Sequence, residues 1–119
     1  MNDIQVSPNF KLREFQCKCG VGHVILHKSL LDKLQVLRTA IGRPVTIFSG
    51  YRCPAHNRSV GGSATSLHMR GMAADIQVAG WTGRQIADAA ARHGFEPHGI
   101  GTASNTAHVD VGPRRRWNY

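Results

Sequence analysis

The sequence predicts an α+β domain: a small antiparallel sheet of about four strands, helices packed on one face, a polar second face. Three observations carry this. Leu30, Leu34, Leu37 and Ile41 recur at helical spacing. The stretches 73–78 and 107–111 alternate apolar and polar residues, as half-buried strands do. Between the first helix and those strands lies 49–71, rich in Gly, Ser, Pro and Asn, which reads as one long loop. A chain of 119 residues suits a single domain, 1–119, with one modest core.

Residues 1–27 read as an irregular lead-in anchored by Phe10, Leu12 and Phe15. The helix over 29–41 is expected to be capped by Ser29, with Asp32 three residues on, and stopped by Gly42 and Pro44. Val45–Phe48 reads as a strand. A loop as long as 49–71 inside so small a domain is expected to be functional. In 73–78, Ala74, Ile76 and Val78 share one face, with Asp75 and Gln77 on the other. Thr82 and Gln85 form a capping-box pattern for a second helix reaching about Arg92, closed by Gly94. Two short strands near 98–102 and 106–111 follow, joined by a turn at Ser104 and Asn105.

Fifteen basic against seven acidic residues give a formal charge of +8, which calls for an anionic partner. The charge is spread along the chain except for Arg114, Arg115 and Arg116, which Gly112-Pro113 is expected to turn away from the site. No aromatic stacking run or nucleic-acid motif accompanies it, so a basic nucleic-acid-binding domain ranks third among the function classes. No apolar run is long enough for a membrane span, and no signal peptide is visible at the start. Cys17, Cys19 and Cys53 cannot all pair within one chain. They read as buried free thiols, or as one bridge from Cys53 to one of the others in an oxidising compartment; a second metal site would use Cys17, Cys19 and His23.

His68 and Asp75 flank Gly71, which lets a loop histidine and a strand aspartate double back onto one ion. His108 on a neighbouring strand would be a third ligand. Two imidazoles and a carboxylate leave a zinc ion one open position, as in hydrolytic sites. Taken singly, each of the three reads first as a surface or hydrogen-bonding residue. His23, His27, His56 and His93 keep that plainer reading.

Ser49-Gly-Tyr-Arg52, Asn57, Val60-Gly-Gly62, Ser66-Leu-His68, Gly71-Met-Ala-Ala-Asp75 and His108-Val-Asp110 occur here in one order. This string resembles the zinc D-Ala-D-Ala carboxypeptidase family, the VanY-like and phage endolysin-type peptidases of the bacterial cell wall. Residues 66–75 match its signature S-x-H-x-x-G-x-A-x-D at every defined position, and Asn9-Phe10, Glu14–Cys17 and Arg116-Trp117 extend the likeness over nearly the whole chain. The same zinc-site fold occurs in the hedgehog signalling domain, where clear catalysis is missing.

The resemblance implies zinc, one ion per chain, held by His68, Asp75 and His108. It implies Arg52 for substrate binding and charge stabilisation, with a structural salt bridge as its other reading. It implies Ser66 as a hydrogen-bonding partner of ligand or substrate. Many members carry an acidic general base three residues before the last ligand; here that position is Asn105. Asp110, two residues past His108 on the same strand face, is the replacement expected, as base or as the group that orients His108, with Glu96 and His98 as fallbacks.

The implied activity is zinc-dependent hydrolysis of peptidoglycan stem peptides, by cleavage at L-Ala–D-Glu or removal of terminal D-Ala. A monomer attracted to the anionic wall or envelope, made in the cytoplasm and released through a holin-type partner, fits the endolysin side. A catalytically weak, zinc-stabilised wall-binding module is the alternative.

Overall fold

A computed structural model describes residues 2–119. Ten elements follow the chain: β1 (Gln5–Ser7), β2 (Phe10–Lys11), α1 (Lys28–Ile41), β3 (Thr46–Ser49), α2 (Pro54–Ser59), β4 (Ala73–Gln77), α3 (Gly83–Ala90), β5 (Gly99–Thr102), β6 (Ala107–Asp110) and β7 (Arg115–Asn118). β1 and β2 form a small antiparallel ribbon; the main sheet has the order β3-β4-β6-β5-β7.

The α+β class stands, with two differences in the sheet. It has five strands rather than about four, and β7 joins β5 in parallel, making it mixed. The basic run Arg114–Arg116 hid β7 because it has no apolar alternation to register. Only Trp117 is partly covered in that strand, so its pairing comes from the backbone, not from a buried face.

Burial explains why the sheet has two unlike faces. In β4, Ala74 and Ile76 are fully covered, and in β6 Ala107 and Val109 are too. They pack with Leu30, Leu34, Leu37, Ile86 and Phe95 from the helical layer, and Phe10 and Phe15 close the same core. Removing a large side chain such as Ile76 from this layer costs about 2–5 kcal/mol. The intervening residues, Asp75, His108 and Asp110, therefore face the other way.

The local signals hold unevenly. Thr82 and Gln85 form both bonds of the capping box that starts α3. Gly42 ends α1 in the left-handed region at φ 64°. Ser29 is not the cap of α1: the helix begins at Lys28, with His27 at the N-cap and its Nδ1 3.0 Å from the Ser29 hydroxyl. α3 stops at Ala90, and a wide turn over Ala91–Phe95 carries Gly94 at φ 113°. The long 49–71 stretch contains α2 and a 3-10 turn, Leu67–Arg70.

Candidate metal centre

His68 is placed by the 3-10 turn that follows Ser66. The Ser66 hydroxyl accepts the His68 backbone N–H at 3.2 Å, so this serine caps the turn that aims the imidazole. Gly71 closes the turn at φ 69°; any side chain there would also strike the Ile25 carbonyl. β4 then carries Asp75 opposite His108 of β6, paired directly across the ladder. The three predicted ligands converge: their donor atoms lie within 4.8 Å of one another.

The imidazoles are polarised from behind. His68 Nδ1 faces the Gly50 carbonyl at 2.7 Å, so it carries the proton and leaves Nε2 as a lone pair. That Nε2 is buried, makes no hydrogen bond, and sits 3.4 Å from Asp75 Oδ1. Gly50 reaches this position because it has no side chain; a Cβ would lie 2.8 Å from the backbone of Phe15. His108 repeats the arrangement. Its Nε2 meets Asp110 Oδ2 at 2.8 Å, which turns Nδ1 toward Asp75 Oδ1 at 3.1 Å.

Two nitrogen lone pairs aimed at one carboxylate oxygen repel unless a proton or a cation lies among them. A metal ion satisfies all three at once, and the orphaned His68 Nε2 is the atom that most needs it. The donor set fits zinc.

Electrostatics agree. Burial pushes the Asp75 carboxyl up, but contacts with His108 and His68 outweigh it and hold the group far below the usual carboxylate range. His108 is lowered by burial yet raised overall by Asp110 and Asp75. Asp110 is held down against its own burial by His108 and by the backbone N–H groups of Gly112 and Gly99.

Arg52 lies beside the ligands. Its guanidinium donates to Asp75 Oδ2 at 3.2 Å, to the Ser49 hydroxyl at 3.2 Å and to Asn57 Oδ1 at 3.4 Å. Both expected readings of Arg52 thus meet in one place, since it bridges to Asp75 and also lines the cleft. Asn57 is buried and holds the Ser63 carbonyl with its amide, tying α2 to the loop ahead of His68. It stood in the motif string without an assigned role.

The candidate bases fare differently. Asp110 is 1% exposed and both its oxygens are used, Oδ1 by the N–H groups of Gly99 and Gly112, Oδ2 by His108. Glu96 is on the surface, paired with Arg114 at 2.6 Å, and His98 Nδ1 meets the Gly112 carbonyl at 2.8 Å. Neither lines the cleft. Asn105 faces a separate hollow with Gln77 and Trp81.

The cleft over the ligands has a volume of about 700 Å³. Its wall corrects one expectation: Arg114 and Arg115 are not turned away, but line the cleft with Pro113. Parallel pairing of β7 to β5 brings them there, and Arg115 stacks on Trp117 at 4.0 Å. Two of the three guanidiniums pair outside the cleft, Arg114 with Glu96 at 2.6 Å and Arg116 with Asp88 at 3.0 Å. Trp117 covers His108 with ring centroids 5.0 Å apart. Tyr119 completes the wall, its phenol pushed up to about 12 by burial and by the charge of Asp75. Sequence reasoning gave Trp117 only as part of the family likeness, with no role, and did not single out Tyr119, which follows β7.

The second predicted metal set changes membership. The donors that gather are Cys17, Cys19 and Cys53; His23 offers its backbone carbonyl to the Cys17 N–H at 2.7 Å. Cys19 is exposed, so the three are not all buried thiols.

With this geometry in hand, the comparisons with known proteins are specific. The model of the family described as Peptidase M15 matches residues 8–110, from the lead-in through Asp110. A zinc D-Ala-D-Ala carboxypeptidase of Streptomyces albus G is 39% identical over 90 residues, which cover 72% of this chain and 35% of that protein. The matched segment is thus about a third of the relative's length.

Proposed function

The chain belongs to the peptidase M15 family, and on that premise we propose that it is a zinc-dependent hydrolase of peptidoglycan stem peptides. The observation that carries this is the convergence of His68 Nε2, Asp75 Oδ1 and His108 Nδ1 at the floor of a cleft edged by Arg52. The relative's activity on D-Ala-D-Ala supports the substrate class.

A zinc ion held by His68, Asp75 and His108 would supply Lewis acidity and bring the ionisation of water to near neutral pH. The protein's own groups do the rest. The Gly50 carbonyl and Asp110 fix both imidazoles in the tautomers that ligation requires. Arg52 sits where negative charge grows on a scissile carbonyl, held flat by Ser49 and Asn57. Arg115 offers a further cation to the carboxylates of a stem peptide. Trp117 keeps water from the far side of His108. Asp110 acts through His108: with both oxygens bonded and no exposure, it is a positioning residue rather than the proton acceptor.

One observation favours a second reading. Among the described residues, Asp75 and Asp110 are the only acids lining the cleft, and both are engaged. A wall-binding module in which zinc has a structural role would look the same. Digestion of purified sacculi, with mass spectrometry of the released ends, separates the cases. New D-Glu amines mean an endopeptidase and free D-Ala a carboxypeptidase. Binding to sacculi with no product from zinc-loaded protein overturns the hydrolase.

A further inference from the structure

Three cysteines from two distant segments meet beside the Arg52 loop. The sulfurs of Cys17, Cys19 and Cys53 all lie within 4.8 Å of one another, and Cys17 Sγ is 3.6 Å from Cys53 Sγ. Gly20, at φ 90°, turns the chain just after Cys19, and the bond from the Cys17 N–H to the His23 carbonyl closes that loop. The backbone N–H of Cys53 donates to Cys17 Sγ at 3.3 Å, which favours a sulfur carrying negative charge. The donors grade outward: Cys17 is buried, Cys53 partly covered and Cys19 exposed.

Packing does not account for this set. A buried thiol can serve as a small apolar side chain, but Cys19 gains nothing of that kind on the surface. A disulfide would use two of the three and leave the third without a purpose. Around a tetrahedral zinc, with Zn–S bonds of about 2.3 Å, neighbouring sulfurs stand about 3.8 Å apart. The 3.6 Å separation is close to that edge and far from the ~2.0 Å of a sulfur–sulfur bond.

We propose that Cys17, Cys19 and Cys53 form a second metal site, which takes a thiophilic divalent ion such as zinc as three thiolates. The fourth position faces solvent beside Cys19. On binding, each thiol gives its proton to solvent as its sulfur bonds the ion, so up to three protons are released and nothing is oxidised or reduced. The Cys-x-Cys spacing is tighter than the paired spacing of zinc fingers, and the distant Cys53 makes up the set. Cys53 directly follows Arg52, and the Tyr51 N–H already bonds the Phe15 carbonyl at 2.8 Å. The ion thus pins the arginine-bearing loop to the lead-in segment, and it is independent of the His68 site.

Cobalt substitution tests the site directly, because only thiolate ligands give sulfur-to-cobalt charge-transfer absorption in the near ultraviolet. Protein purified under reductant should show that absorption and bind two ions per chain. His68→Ala should keep the absorption and lose one ion, which separates this site from the cleft. Cys19→Ser, an exposed substitution, should weaken or abolish the absorption while circular dichroism stays unchanged. Three reduced thiols in folded wild type with no charge-transfer band would overturn the site. So would an intact mass short of two hydrogens with one titratable thiol, the mark of a Cys17–Cys53 bridge.

Discussion

The two faces of the β4–β6 pair draw alternate residues from the same two strands for opposite purposes. On one face Ala74, Ile76, Ala107 and Val109 vanish under the helices. On the other, one residue out of step, Asp75, His108 and Asp110 gather polar atoms that cost folding energy unless something binds them. The apolar face makes the strands rigid and the polar face borrows that rigidity to hold donors a few ångströms apart. Stability and chemistry are thus separated by the two-residue period of a strand.

The sharpest way to break the comparison is one substitution on each side. His68→Ala should abolish hydrolysis and remove the stability that zinc in the cleft site supplies, about 4 kcal/mol when free zinc is 1,000 times that site's dissociation constant. Its chelated form should melt somewhat below the chelated wild type, since the buried Gly50 carbonyl loses the bond from His68 Nδ1. Ile76→Ala should cost about 2–5 kcal/mol in denaturant titrations with and without zinc, yet still bind the ion. Loss of zinc from folded Ile76→Ala would show that the faces are not separable.

Arg52 sharpens the polar side. Arg52→Gln should lower kcat about 10²–10³-fold, the cost of one charge-stabilising donor, with zinc content unchanged. A change confined to KM would make it a substrate clamp alone. Asp110→Asn should come next, weakening zinc affinity about 10–100-fold while turnover at saturating zinc largely survives. A collapse of turnover with zinc still bound would return the base role to Asp110.

These expectations also mark what could be read in the sequence. The alternation in 73–78 and 107–111 carried the core, the sheet and the ligand face together, because burial on one side imposes a period that composition cannot hide. The decapeptide 66–75 pointed to His68 and Asp75 through its likeness to the family signature, and His108 came from the later His-x-Asp. β7 was illegible: its basic residues face solvent or cleft, its pairing is parallel, and its partner β5 is remote in sequence only through β6. With β7 went the places of Arg114, Arg115, Trp117 and Tyr119. Cys53 reads only as one end of a possible bridge, since the packing of 15–17 against 50–53 that gathers all three thiols has no mark in the sequence.

The smallest expected effect concerns pH, and it again sets metal-free against zinc-loaded protein. Without metal, the polar face is held by a charged His108 between two carboxylates. Asp75 and Asp110 are pulled below the usual range by their histidine contacts, against their burial, so their contribution is present above about pH 4 and fades as pH falls through the folded values. His108 is raised overall, so its contribution is complete below about pH 6.5 and fades as pH rises through its folded value. Chelated protein should therefore be most stable between roughly pH 4 and 6.5. Zinc reverses the upper limit: ligation needs His108 Nδ1 without its proton, so the stabilisation by zinc should grow as pH rises through that same value. Melting curves with chelator and with excess zinc, taken from about pH 4 to 8, should diverge steadily toward the alkaline side. Parallel curves, or a chelated optimum above pH 7, would mean that the charged His108 is not what holds the polar face together in the metal-free state.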